Sequence, residues 1–160
     1  SAFKTEQNRY AGFSASGQDV WLPTYDFQGE GVVISAVGSR CGKAFYARGE
    51  WSAIANTHVV LPRSGLLNAK FSYLYLNNED FWIKGGSGQP FVQMKASLRR
   101  SVLLPSVEEQ RSIASVLEGV DEELAALERR LESTRAIKQG MMQELLTGRT
   151  RLPVAEEVSV

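Results

Sequence analysis

Apolar positions along the chain follow two different rhythms, and the change falls at Pro105. Before it, short apolar runs are cut by Gly, Pro, Ser and Asn. The runs GVVISAV (31–37), KAFYAR (43–48) and ANTHVVLP (55–62) are β-branched or aromatic and bounded by turn residues, so they predict strands. The run LLNAKFSYLYL fits both periods. Leu67, Phe71, Leu74 and Tyr75 fall at helical spacing, whereas Phe71, Tyr73 and Tyr75 alternate, and a short helix is the preferred reading. FWIK (81–84) reads as a strand, GGSGQP (85–90) as a loop, and Phe91, Met94 and Leu98 as one or two helical turns. The opening stretch KTEQNRYAGFSASGQD is polar and reads as a loop. Residues 1–105 are therefore expected to form a compact mixed α+β domain.

After Pro105 one period governs. Ser106-Val107-Glu108-Glu109 has the form of a capping box, in which the Ser106 hydroxyl accepts from the Glu109 N–H. From there Ile113, Leu117, Val120, Leu124, Leu127, Leu131, Thr134, Lys138, Met141 and Leu145 step alternately by four and three, a coiled-coil seam with two polar interruptions. Gly119, followed by Asp121 as a new N-cap, predicts a break into a short connecting helix over 106–120 and a long helix over 121–148. Gly148 is a suitable stop before a tail over 149–160, of which LPVAEEVSV (152–160) is expected to fray. A bare leucine stripe this long either folds back on the domain or pairs with another long helix. The strict heptad spacing favours pairing, through Ile113, Leu117, Val120, Leu124, Leu127, Leu131, Met141 and Leu145.

Composition narrows the class. The 160 residues are 43% hydrophobic and 9% aromatic, enough for a packed core. No apolar run approaches the roughly 20 residues that span a bilayer, and no basic and apolar signal segment opens the sequence. The one cysteine, Cys41, has no internal disulfide partner, so a reducing, cytoplasmic setting is the expectation. Zero net charge conceals a split: residues 1–105 hold eleven Lys/Arg against seven Asp/Glu, and residues 106–160 hold seven against eleven. That asymmetry suggests a basic, partner-facing region joined to an acidic one.

Candidate chemistry is sparse. Gly38-Ser39-Arg40-Cys41-Gly42-Lys43 hints at a phosphate-binding P-loop, which needs four residues between its glycines and a Ser or Thr after its lysine. Here three residues intervene and Ala44 follows, so an NTP-using enzyme is disfavoured. One His and one Cys far apart make no zinc site, and His58 in an apolar strand reads as a structural histidine. Cys41 lies in a basic turn that favours a thiolate, but no neighbouring His in sequence supports a nucleophile. Glu79-Asp80 with Lys84 only faintly evokes nuclease carboxylates. No catalytic motif and no cofactor or metal site is expected in this chain.

The stretch from Leu104 to Leu152 resembles the helical segment of type I restriction–modification specificity subunits. The likeness rests on Pro105 before Glu109-Gln110, then Ile113-Ala114, then Asp121, and on the ending Leu145-Leu146-Thr147-Gly148-Arg149-Thr150-Arg151. The stretches SASGQDVWLPTYDFQGEGVVISAVGSRCGKAF, IANTHVVLP and GGSGQPF resemble a target-recognition domain of that family. The resemblance implies a non-catalytic subunit that reads double-stranded DNA, with two recognition domains held apart by antiparallel helices over a split target. S-adenosylmethionine would sit in a partner methyltransferase subunit, and ATP and Mg²⁺ in a translocating nuclease subunit. A complete member has two recognition domains and two helical segments. One of each here implies a half-subunit or fragment, without the usual first strand and turn, that pairs with itself or another half.

A DNA reader needs cations for phosphates and planar or hydrogen-bonding groups for base edges. Ser39, Arg40 and Lys43 sit beside two glycines where backbone can approach a phosphate, although a plain β-turn with two solvated charges fits equally well. Lys84, Ser87 and Gln89 belong to a second glycine-rich loop, where Gln89 has the donor–acceptor pair that matches adenine, or the loop simply joins two strands. Arg63, Lys95, Arg99 and Arg100 are candidate phosphate contacts, and Arg9, Tyr10, Ser16 and Gln18 candidate groove contacts. Trp51 reads as core before it reads as a stacking platform. The alternative is an assembly module that docks a methyltransferase through its acidic helix without reading DNA.

Overall fold

The computed structural model of the chain describes residues 2–153. It divides into two compact units, Ser1–Ser115 and Val116–Val160. The fold is α+β, with small mixed sheets followed by one long helix.

Three sheets make up the first unit. Strands β1 (Tyr10–Ser14), β2 (Gly17–Leu22), β3 (Phe27–Gln28) and β6 (Glu50–Ala53) form one sheet in the order β2-β1-β6-β3, with β1 and β6 parallel. Strands β4 (Gly31–Ser35), β5 (Ala44–Ala47) and β7 (Thr57–Val60) form a second, with β4 central and both pairings antiparallel. A third pairs β8 (Lys84–Gly85) with β9 (Phe91–Val92). Helices α1 (Ala69–Leu76) and α2 (Met94–Ser97) lie in the same unit.

The apolar run 31–37 is continuous because β4 is covered on both faces. All five of its residues are buried. Val32 and Ile34 join Cys41, Ala44, Trp82 and Val92 in one core cluster, while Val33 joins Phe13, Ala47 and Trp51 in another. Alternation along a strand sends neighbours to opposite faces, so one β-branched segment knits two cores. Trp51 is fully buried, stacks on Phe27 and donates its Nε1–H to the Gly29 carbonyl, so it is a core residue.

The structure corrects four local readings. The opening polar stretch holds most of a β-hairpin, β1–β2, where a loop was expected; its register shifts between Gly12 and Phe13, both buried, and Gly12 packs against Val20 so closely that a Cβ would approach to 2.5 Å. FWIK is not one strand. Asn78 caps a 3-10 turn over Glu79–Phe81 by accepting from the Asp80 N–H, and only Lys84 enters β8. Phe91 lies in β9, leaving α2 to span Met94–Ser97 alone.

The fourth correction concerns the long helix. Helix α3 runs from Val107 to Leu146 without the break expected at Gly119 and Asp121. An interior glycine costs about 1 kcal/mol, which a forty-residue ladder absorbs. Its start behaves as the sequence implied, because the Glu109 N–H donates to Ser106 Oγ at 3.2 Å. The expected fraying of the tail concerns mostly residues 154–160, outside the described residues.

Candidate nucleic-acid interface

The turn between β4 and β5 is built by its glycines. Gly38 and Gly42 hold φ of 92° and 90°, a region costly for side chains. The Cys41 N–H donates to the Gly38 carbonyl, the Lys43 N–H to the Arg40 carbonyl and the Gly42 N–H to the Ser35 carbonyl, closing a tight loop. Ser39, Arg40 and Lys43 are exposed on it, while Cys41 turns inward at 2% exposure among Val32, Ile34 and Trp82. Strand β5 follows Lys43 directly. A P-loop lysine opens a helix whose N-terminus receives phosphates, so this turn is differently built.

Two further loops are tied to it. Val37 bridges Phe91, the Gly38 N–H donates to the Pro90 carbonyl and the Val92 N–H to the Ala36 carbonyl, each at 2.8 Å. These bonds fix the loop 85–90, in which Gly86 has φ of 93° and a Cβ on it would lie 2.3 Å from the Gln89 carbonyl oxygen. Ser87 and Gln89 are exposed at its tip. On the other side, Arg40 Nη1 donates to the Ser16 carbonyl at 3.0 Å, reaching the tip of the β1–β2 hairpin. Three loops distant in sequence therefore present Ser16, Gln18, Ser39, Arg40, Lys43, Lys84, Ser87 and Gln89. Lys84 belongs by position, since its Cε would lie 3.3 Å from a Cβ on Gly42, but it is also ion-paired with Glu79 at 3.0 Å.

Other candidates lie elsewhere or are engaged. Arg9 donates to its neighbour Tyr10 Oη at 2.7 Å, and Tyr10 pairs with Leu22 at the hairpin end away from Ser16. Arg63 sits in the turn after β7, where its carbonyl accepts from Leu66 and Leu67, and Lys95 is exposed on α2. Arg100 donates to the Asp80 and Phe81 carbonyls at 3.1 and 2.9 Å, securing the end of the 3-10 turn, while Arg99 is exposed beside it. His58 lies in β7 opposite Ile34, partly buried. No group of three or more His, Cys, Asp or Glu suited to a metal occurs among the described residues.

One element escaped the sequence reading. Gln110 is fully buried; its Oε1 accepts from the Asn68 N–H at 2.9 Å, and its Nε2 donates to the Leu66 and Pro105 carbonyls at 3.1 and 3.0 Å. Asn68 in turn caps α1 through the Phe71 N–H, and at the other end of α1 the Asn77 side chain accepts from the Ala44 N–H, next to Lys43. Helix α1 is thus a strut between the start of α3 and the 38–43 turn. The available signal was a polar residue one heptad before Leu117, at a seam position.

The seam of α3 lies open. Leu117, Val120, Leu124, Leu127, Leu131 and Met141 are each between 44% and 56% exposed, and Ile113 is 36% exposed. Leu145 is half-buried. No helix of the described residues is long and apolar enough to cross a membrane.

A sequence model of the family described as "Type I restriction modification DNA specificity domain" matches residues 21–134. The type I restriction enzyme MjaVIII specificity subunit of Methanocaldococcus jannaschii is 27% identical over 114 residues, covering 69% of this chain and 26% of that protein. Among solved structures, the type I restriction–modification S subunit from M. genitalium aligns with a TM-score of 0.56 at 19% identity, over 88% of this chain and 39% of its own. A structure concerning complex assembly and conformational transition of the type I R–M system aligns with a TM-score of 0.58 at 19% identity, over 89% and 40%. The chain thus spans about a quarter of that curated relative and two fifths of those structures.

Proposed function

The chain belongs to the type I restriction–modification DNA specificity family, and from that premise we propose that it is a non-catalytic subunit reading one half of a split DNA target. The observation that carries this reading is the convergence of the β1–β2 hairpin tip and the loop 85–90, both exposed and polar, on the cationic 38–43 turn. Lys43 supplies phosphate attraction, which fixes register without reading sequence. Gln89, on a loop held by its own backbone, supplies a planar donor–acceptor pair to a base edge. The methyl donor S-adenosylmethionine belongs to a partner methyltransferase subunit, and ATP and Mg²⁺ to a translocating nuclease subunit.

Pairing completes the reader. Along α3, positions flanking the seam carry Glu123 and Arg130 on one side and Asp121, Glu128 and Arg135 on the other. A parallel pair of copies would set Glu123 against Glu128 and Arg130 against Arg135, all like charges. Antiparallel copies can set Glu128 against Arg135, or Arg130 against Glu144 one heptad along. Charge therefore favours an antiparallel homodimer, whose two-fold axis demands a palindromic split site. At 1.5 Å per residue the forty residues of α3 extend about 60 Å, a ruler for the gap between half-sites.

The test is duplex binding at rising salt, followed by base-by-base substitution in the preferred duplex. A reader making several phosphate contacts loses affinity steeply with salt. Lys43→Ala is expected to weaken all duplexes alike and lower the salt slope by about one. Gln89→Ala is expected to relax preference at one base pair by about 1–3 kcal/mol while sparing the rest. An absence of saturable duplex binding at low salt, with a methyltransferase subunit still bound, would replace this reading by that of an assembly module.

A further inference from the structure

Arg40 reads from sequence as a phosphate contact, but its guanidinium has other work. Nη1 donates to the Ser16 carbonyl at 3.0 Å, across 24 residues. Inside the hairpin turn, Ser14 Oγ accepts from the Ser16 N–H at 3.0 Å and donates to Asp19 Oδ2 at 2.5 Å. The turn has thereby used its own side chains on its own groups, and Arg40 takes the Ser16 carbonyl from outside. The hairpin tip has a second anchor, because Gly17, at φ 113°, lies so near Phe45 that a Cβ would stand 3.0 Å from the ring. Backbone bonds secure the loop 85–90 to the same turn. Among the described residues, the Arg40 link is the side-chain bond that joins these loops.

We infer that Arg40 is a positioning residue for recognition: it fixes the hairpin tip, with Ser16 and Gln18, relative to Lys43 and Gln89. The inference rests on the DNA-reading function proposed above. A planar guanidinium presents its five donors in a fixed fork, so a bond to a carbonyl constrains direction as well as distance. A lysine keeps the charge but loses that fork. This gives Arg40 a signature different from that of a phosphate contact, which acts through charge and is indifferent to sequence.

The experiment compares the 160-residue chain with its Arg40→Ala, Arg40→Lys and Lys43→Ala variants. Two readouts are taken: affinity for the duplex that wild type selects from a randomised pool against a scrambled one, and amide exchange in the DNA-free proteins. The expectation for Arg40→Ala is faster exchange at Ser16–Gln18 with unchanged exchange in Val32–Ile34. Its preference for the selected duplex should fall about tenfold, with scrambled-duplex affinity and salt slope near wild type. Arg40→Lys should not restore the preference. Equal weakening on both duplexes, a salt slope lowered by about one and rescue by Arg40→Lys would make Arg40 a phosphate contact and overturn the inference. Should wild type select no duplex, the DNA-reading function fails by itself; exchange at Ser16–Gln18 then still decides whether Arg40 holds the tip, and unchanged exchange there overturns it.

Discussion

On the helix pairing proposed above, replacing Leu124 and Leu131 with glutamate is expected to leave the chain monomeric. Both leucines lie at the same seam position one heptad apart, half-exposed in the single chain at 53% and 50%. In a pair they face the partner helix, and each removes apolar surface worth about 1.5–3 kcal/mol when fully buried. The double substitution would carry four carboxylates into that seam, where an unpaired charge costs several kcal/mol more. Equilibrium sedimentation should show association weakened by at least about a thousandfold, since each 1.4 kcal/mol is a factor of ten. Both residues belong to the Val116–Val160 unit, so the unfolding transition of the Ser1–Ser115 unit should persist. A variant that still dimerises would show that another surface mediates pairing.

The parts of the fold that announced themselves were those governed by one local rule. The run 31–37 read as a strand through its β-branched residues and the turn residues that bound it, and the four-three spacing after Pro105 read as a helix with one apolar face. Both depend on residues within a turn or two of each other. The hairpin β1–β2 stayed hidden because its strands are polar outside and owe their order to pairing, with Gly12 chosen for a close approach that sequence does not display. FWIK misled for a related reason: the aromatic pair Phe81-Trp82 has strand propensity, but the Asn78 cap and the Trp82 Nε1–H bond to the Leu76 carbonyl hold a turn instead. Gly119 carried too much weight, as one glycine cannot end a helix that is favourable on both sides. Among site residues, the composition of Ser39, Arg40, Lys43 and Gln89 was visible. Their assembly was not, because it runs through bonds between residues 16 and 40 and between 38 and 90.

Gln110 is where the second large effect is expected. Truncation to alanine removes three hydrogen bonds at once and leaves the Asn68 N–H and the Leu66 and Pro105 carbonyls in part-buried surroundings without that partner. A buried group left unsatisfied costs about 1–3 kcal/mol, and partial access of water to a cavity of this size softens the sum, so a loss of about 3 kcal/mol is expected in urea unfolding. Gln110→Glu keeps the acceptor for Asn68 but turns an oxygen towards two carbonyls and buries a charge; it should be at least as damaging. Ser106→Ala provides the contrast, because it removes only the exposed cap bond to Glu109 and should cost about 1 kcal/mol. The consequence extends to the reading surface. Asn68 opens α1, and Asn77 at its far end holds the Ala44 N–H beside Lys43, so loosening Gln110 loosens the support of the 38–43 turn. Amide exchange should therefore quicken at Ala44 in Gln110→Ala and stay unchanged there in Ser106→Ala. Equal protection at Ala44 in both would show that α1 carries no strain between the two ends, and that the glutamine serves only the docking of α3's first turns.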